Sequence, residues 1–93
     1  MDISVRELLL LNNPNLIDIR DKYKYLNDTI IGSVNISEAQ LMFNTSMYLK
    51  KDQKYYIFCD YGHRSMRLCE YLRQKGYLVY NVVGGYHAYE VEK

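Results

Sequence analysis

A chain of 93 residues, 48% apolar and 25% charged, has the composition of one globular domain spanning residues 1–93, and it can bury roughly 60–65% of its unfolded surface without staples. Its formal net charge of +1 supplies no global field that would gather nucleic acid or an anionic membrane. No apolar run approaches the ~20 residues of a membrane span and no secretory leader pattern opens the chain, so a cytoplasmic, reducing setting is expected, with Cys59 and Cys69 as thiols rather than a bridge.

Ser4-Val5-Arg6-Glu7 has the form of a capping box, in which Ser4 takes an orphan backbone N–H and Glu7 reaches back to the cap. It predicts a helix with Leu8, Leu9 and Leu11 as its apolar face, stopped by Asn12-Asn13-Pro14-Asn15. Leu16 to Ile19 is a short apolar run that reads as a buried strand. The polar stretch from Arg20 to Asn27 suits a short helix or turn, and Ile30 to Ile36 is β-prone but broken by Gly32. Ser37 opens a helix through Phe43, which Thr45 to Leu49 can continue. Tyr55 to Cys59 is aromatic, β-branched and ends at a glycine-containing loop, which marks it as the clearest strand. Ser65 to Lys75 is the clearest helix, with Leu68, Cys69 and Leu72 on one face and Gly76 just beyond its end. Leu78 to Val83 is a further strand, Gly84-Gly85 break it, and Tyr86 to Val91 can form a last helix. Strands alternating with helices predict an α/β fold: a parallel sheet of four to five strands in a three-layer arrangement, with helices on both faces.

The chemistry concentrates at Cys59-Asp60-Tyr61-Gly62-His63-Arg64-Ser65. In an open α/β sheet ligands bind beyond the carboxyl ends of the strands, and Cys59 stands at such an end. Backbone N–H groups of the loop and the positive end of the following helix would converge there and favour a thiolate. A free cysteine, with a pKa of about 8.5, is only a few per cent ionised at neutral pH, so such a shift decides whether it is a nucleophile. Gly62 allows a tight turn. Ser65 is placed to cap the helix and contact a bound anion. His63 and Arg64 add positive charge, with His63 readable either as a surface residue or as a substrate contact. Asp60 opposes that charge and is expected to point away. Cys69, on the apolar face of its helix, reads as core, and His87 as surface. No Cys/His set has metal-ligand spacing, so no metal is expected.

This segment resembles the active-site loop of the rhodanese family, Cys-x-x-Gly-x-Arg-Ser or Thr. The resemblance extends along the chain: Leu16-Ile17-Asp18-Ile19-Arg20 is similar to the family's Leu-Ile-Asp-Val-Arg strand end, Ile30, Gly32, Asn35 and Ile36 to its Gly-His-Ile-Pro-Gly-Ala-x-Asn-Ile stretch, and Gly84-Gly85 to Tyr89 to its closing Gly-Gly-x-x-x-Trp. Asp28, Thr29, Ile31, Ser33 and Tyr89 depart from these patterns, and Lys24 stands where an acidic residue is common. The resemblance implies a thiosulfate sulfurtransferase-like enzyme without an organic cofactor, in which a Cys59 persulfide is held by Asp60, Tyr61, Gly62, His63, Arg64 and Ser65. Asp18, Arg20, Gly84 and Gly85 would support the site. It also implies a small sulfur donor (thiosulfate or a persulfide) and a thiol or protein acceptor. The charge and hydropathy leave no membrane or direct nucleic-acid partner expected, and a monomer is the default. Two rivals stand beside it. One is a non-catalytic binding or regulatory module of the same fold. The other is a cysteine-dependent phosphatase or arsenate reductase, whose anion loop carries one residue more than the four between Cys59 and Arg64.

Overall fold

The apolar, β-branched runs line up as one sheet in the computed structural model, which describes residues 1–93. In chain order the elements are β1 (Asp2–Ile3), α1 (Val5–Leu8), β2 (Asn15–Asp18), α2 (Lys22–Asn27), β3 (Ser33–Asn35), α3 (Glu38–Phe43), α4 (Thr45–Tyr48), β4 (Lys54–Phe58), α5 (His63–Gln74), β5 (Leu78–Val82) and α6 (Gly85–Glu92). All five strands are parallel, in the order β1-β5-β4-β2-β3, as expected for alternating strands and helices. β4 is therefore central, and its carboxyl end lies among the carboxyl ends of β2 and β5.

The period of two along each strand divides the core into two layers. Ile17, Ile19, Tyr55, Ile57 and Val79 face one side, where they meet Leu41 of α3 and Leu68, Cys69 and Leu72 of α5. Leu16, Phe58 and Val82 face the other, against Val5 and Leu8 of α1, with Tyr86, Ala88 and Tyr89 of α6 packed at its margin. Helices thus cover both faces. Each fully buried Leu, Ile or Phe contributes about 1.5–3 kcal/mol. The α5 anchors Leu68 and Leu72 hold that helix, and with it the loop that precedes it, to the sheet.

Several boundaries differ from the sequence expectation. The Ser4–Glu7 capping box forms, but α1 is a single turn. Leu10 and Leu11 donate to carbonyls three residues back, tightening the chain, and only Val5 and Leu8 are buried; Leu9 and Leu11 are exposed. The helix from Ser37 is likewise capped, yet it ends at Asn44, where α4 begins afresh; the Thr45 hydroxyl donates to the Leu41 carbonyl at 2.5 Å. β1 escapes sequence pattern because it is two residues long and owes its identity to pairing with Asn81 and Val82. No helix is long and apolar enough to cross a membrane.

Asp18, the last residue of β2, and Arg20, just beyond it, form a buried bidentate pair. Arg20 Nε donates to Asp18 Oδ1 at 3.1 Å and Arg20 Nη2 to Asp18 Oδ2 at 2.8 Å. The guanidinium also lies 4.0 Å over the Tyr86 ring of α6 and donates to the Asp28 carbonyl. The pair thereby ties β2, the α2–β3 turn and α6 into one rigid floor. Every buried side-chain N or O has a partner, as a stable interior requires.

Candidate active site

Cys59 is the first residue beyond β4. Gly62, with φ of 95°, turns the chain through the left-handed region into α5. The turn folds the loop back over the thiol. Gly62 N donates to Cys59 Sγ at 3.2 Å and Ser65 N at 3.4 Å, and the Ser65 hydroxyl lies 3.3 Å away. The N–H groups of a helix's first turn have no partner within the helix. Here the Ser65 N–H finds a sulfur atom, and the positive end of α5 faces the same point.

Ser65 corrects one expectation. α5 begins at His63 with Gly62 as its N-cap, so Ser65 is the third helical residue and not a cap. His63 and Arg64 take helical conformation because Gly62 absorbs the sharp turn. The Ser65 side chain is fully buried and points at the thiol and at β5 instead of capping the helix. Its hydroxyl donates to Asn81 Oδ1 at 2.5 Å, while Asn81 Nδ2 donates to the Gly62 carbonyl at 3.3 Å. Asn81 therefore holds both Gly62 and Ser65, whose N–H groups donate to the Cys59 sulfur. Sequence reasoning missed it. The signal was present as one amide in an otherwise apolar and aromatic strand, on the face occupied by Val79.

A second clamp comes from α6. Tyr86 N donates to the Cys59 carbonyl at 2.9 Å and His87 N to the Asp60 carbonyl at 3.0 Å. These bonds turn the loop's carbonyls away from the thiol, so its N–H groups face inward. The approach is close enough to require glycine: a Cβ on Gly85 would stand 2.3 Å from the Cys59 carbonyl oxygen, and one on Gly62 2.9 Å from Gly84 N. Gly84 caps α6 at φ of 77°. The two glycine motifs, distant in sequence, are the two halves of one turn-on-turn contact.

Burial pushes the Cys59 thiol up, but the contact with the Ser65 hydroxyl and the hydrogen bonds from the backbone N–H groups of Ser65, Gly62 and Tyr61 outweigh it, so the thiol lies below its ordinary value. Burial without such donors pushes Cys69, the core residue, up to about 12. Both are free thiols. Iodoacetamide at pH 7 should accordingly modify Cys59 and spare Cys69. The pH profile of alkylation should have its midpoint below that of free cysteine, because a lowered pKa puts the thiolate at lower pH. Peptide mapping of the modified sulfur checks this; a profile at or above that of free cysteine would contradict it.

Cys59, Asp60, Tyr61, His63 and Arg64 line a small cavity of about 140 Å³ over the sulfur. Asp60 turns to Lys24 of α2, with Oδ2 3.1 Å from Nζ, which explains how a carboxylate can sit beside the thiol without facing it. Arg64 is drawn to Glu38 of α3 at 3.2 Å. His63 is exposed; so is His87, whose ring packs against the exposed Tyr61 ring at 5.3 Å, tilted by 43°. No group of three His, Cys, Asp or Glu side chains is arranged to hold a metal ion.

Residues 4–92 match the family described as the rhodanese-like domain. Among curated proteins the chain is 35% identical over 77 residues to "Putative sulfurtransferase YtwF" of Bacillus subtilis (strain 168), covering 83% of this chain and 74% of that one. Its fold is similar to the crystal structure of a rhodanese-related protein from Thermoplasma volcanium, with a TM-score of 0.89 and 27% identity over 98% of this chain and 91% of that one. It is also similar to a rhodanese-like domain protein from Staphylococcus aureus, with a TM-score of 0.82 and 30% identity over 95% and 90% of the two chains.

Proposed function

The chain belongs to the rhodanese-like domain family, and from that premise we propose that it is a sulfurtransferase that carries a sulfane sulfur as a persulfide on Cys59. The observation that carries this reading is the convergence of two backbone donors, the Gly62 N–H and the Ser65 N–H, on Cys59 Sγ within 3.4 Å, with the Ser65 hydroxyl in contact at 3.3 Å. Such a cradle favours a thiolate over a thiol, and the cavity of about 140 Å³ above it has room for an added sulfur.

In the first half-reaction the Cys59 thiolate attacks the outer sulfur of a sulfane donor such as thiosulfate. The donor's S–S bond breaks, sulfite leaves with the bonding electrons, and a Cys59 persulfide remains. Its outer sulfur comes within reach of the inward N–H groups, which offset the added negative charge as donors in an oxyanion hole do. In the second half-reaction a thiol or protein acceptor attacks that outer sulfur and the Cys59 thiolate is regenerated. This is covalent catalysis of the ping-pong type, carried by the protein's own residues. Phosphate chemistry is disfavoured: Arg64, which would have to clamp a phosphoryl oxygen, is engaged by Glu38 at the rim.

Intact mass after incubation with thiosulfate, and separately with cysteine persulfide, tests the proposal. The expected result is a gain of about one sulfur atom, removed by cyanide or reductant, on Cys59. Failure of both donors on protein whose Cys59 still alkylates would transfer the reading to a binding or regulatory module without turnover.

A further inference from the structure

We propose that the groove at the amino ends of β4 and β5 is a docking site for an acidic segment of a partner protein, one in which an apolar side chain is flanked by Asp or Glu. The groove is a cavity of about 520 Å³ lined by Met42, Phe43, Met47, Lys51, Lys75 and Tyr77 among others. The charge around it is unbalanced. Lys50, Lys51 and Lys54 stand where β4 begins, Arg73 and Lys75 precede β5, and Asp52 is the one carboxylate in either segment. None of these six takes part in a salt bridge, whereas Arg6, Arg20, Lys24, Arg64 and Lys93 all do. Five cations and one carboxylate leave this end at +4 in a chain whose formal net charge is +1, so the net value hides the asymmetry. Arg73 leans to the β1 edge, where it donates to the Val79 carbonyl at 3.1 Å. The two lysines in the groove are held on aromatic faces. Lys51 Nζ lies 5.4 Å from the Tyr77 ring centre and Lys75 Nζ 4.8 Å from that of Tyr71. Lys51 passes over Gly76, where an added Cβ would stand 3.6 Å from its Cε and Nζ. A ring face steadies an ammonium group without cancelling its charge, and it leaves N–H donors for a ligand. Two such groups in one groove repel each other, a cost that a bound anion removes.

The wall of the groove selects among anions. α3 stops at Asn44 and α4 begins afresh, and the break leaves Phe43 and Met47 facing outward, 79% and 75% exposed. Met42 lies beside them, and flexible thioethers adapt to apolar side chains of irregular shape. A concave apolar wall next to unpaired cations matches a peptide that brings both a hydrophobic anchor and carboxylates. A flat bilayer does not fill a concavity. A nucleic-acid strand needs cations that track its backbone, and only Lys51 and Lys75 line this cavity. Cys59 lies at the opposite end of the five-residue strand β4, roughly 17 Å away at ~3.3 Å per residue. A docked segment therefore leaves the thiol open, and docking does not depend on sulfur transfer.

A random peptide library displayed on phage, selected on the whole protein, provides the test. Selected sequences should share Leu, Phe or Met flanked by Asp or Glu. Labelled synthetic copies should bind in fluorescence anisotropy. Their affinity should fall at least about fivefold as ionic strength rises from about 0.01 to about 0.15 M and the screening length shortens from about 30 to about 8 Å. Lys51→Glu and Lys75→Glu should each weaken binding at least about tenfold. Phe43→Ser should weaken it about tenfold with its salt dependence kept. All three positions are exposed, so the variants should melt as the wild type does. Saturating peptide should leave the rate of Cys59 alkylation unchanged. Failure to select any peptide, selection of sequences without acidic residues, or unchanged affinity in both lysine variants would overturn the inference. So would a peptide that protects Cys59 from iodoacetamide, since it would then occupy the cavity over the sulfur. Tighter binding of a single-stranded RNA or of phosphatidylserine vesicles, lost in the same lysine variants, would give the groove to that partner and overturn the inference as well.

Discussion

Cys59→Ser is expected to reduce sulfur loading by at least about a thousandfold while leaving the protein folded. The chemistry sets the size of the loss: a serine hydroxyl is not ionised near neutral pH, and no group beside Cys59 is placed to act as the base it would then need. The fold should tolerate the change because the oxygen inherits partners. Gly62 N and Ser65 N, 3.2 and 3.4 Å from the sulfur, can donate to a hydroxyl, so no polar atom is left unsatisfied. The cost comes from the smaller atom in a packed layer beside Ile57 and Leu68, on the order of 1 kcal/mol, or a fall in Tm of about 4–8 °C. Cys69→Ala is the matching control. It lies in the core with its thiol pushed up to about 12, so it should lose stability and keep activity. Wild-type loading by folded Cys59→Ser would end the assignment of Cys59. Loss of activity in folded Cys69→Ala would give the second thiol a chemical role.

Much of this site was legible before the fold was seen, for a physical reason. A strand, a cysteine, a glycine turn and a helix are local in sequence, and the aromatic, β-branched run of Tyr55 to Phe58 and the helical spacing of Leu68 and Leu72 identify their elements without tertiary information. The orientation of Asp60 away from the thiol also followed from local charge. The partners of these residues could not be read in the same way. That Asp60 meets Lys24 and Arg64 meets Glu38 depends on how α2 and the start of α3 lie beside the loop, which no periodicity reports. Asn81 was hidden because a strand pattern counts its neighbours as core and passes over one amide. The cap was misplaced by three residues: the usual rule puts a hydroxyl there, whereas a left-handed glycine, Gly62, started the helix earlier and left Ser65 inside. The N-terminal leucines misled in the opposite direction, since apolar spacing alone does not say where a short helix tightens and exposes its last turn.

The contact between the two glycine motifs leads to the second large effect. Gly85→Ala is expected to destabilise the protein by about 3–4 kcal/mol and to slow sulfur loading by at least about a hundredfold in the molecules that remain folded. The new Cβ would stand 2.3 Å from the Cys59 carbonyl oxygen and 2.9 Å from both the carbonyl carbon and oxygen of Asp60, all backbone atoms that cannot swing aside. A φ of 59° adds about 1–2 kcal/mol for any L residue. As α6 retreats, the bonds from Tyr86 N to the Cys59 carbonyl and from His87 N to the Asp60 carbonyl are lost, at about 1 kcal/mol each. Those bonds keep the loop's carbonyls away from the thiol, so the damage reaches the reacting atom. A displacement of about 1 Å is enough for a hundredfold loss of rate. Gly32→Ala separates strain from contact. Its φ is 89°, yet nothing lies within 4 Å of the added carbon. It should therefore show only the conformational penalty, about 1–2 kcal/mol, with loading rate and Cys59 alkylation profile unchanged. Thermal melts, loading rates and alkylation profiles of the two variants together decide the matter. If Gly85→Ala behaved like Gly32→Ala, the α6 clamp would be no part of what holds the Cys59 cradle in shape.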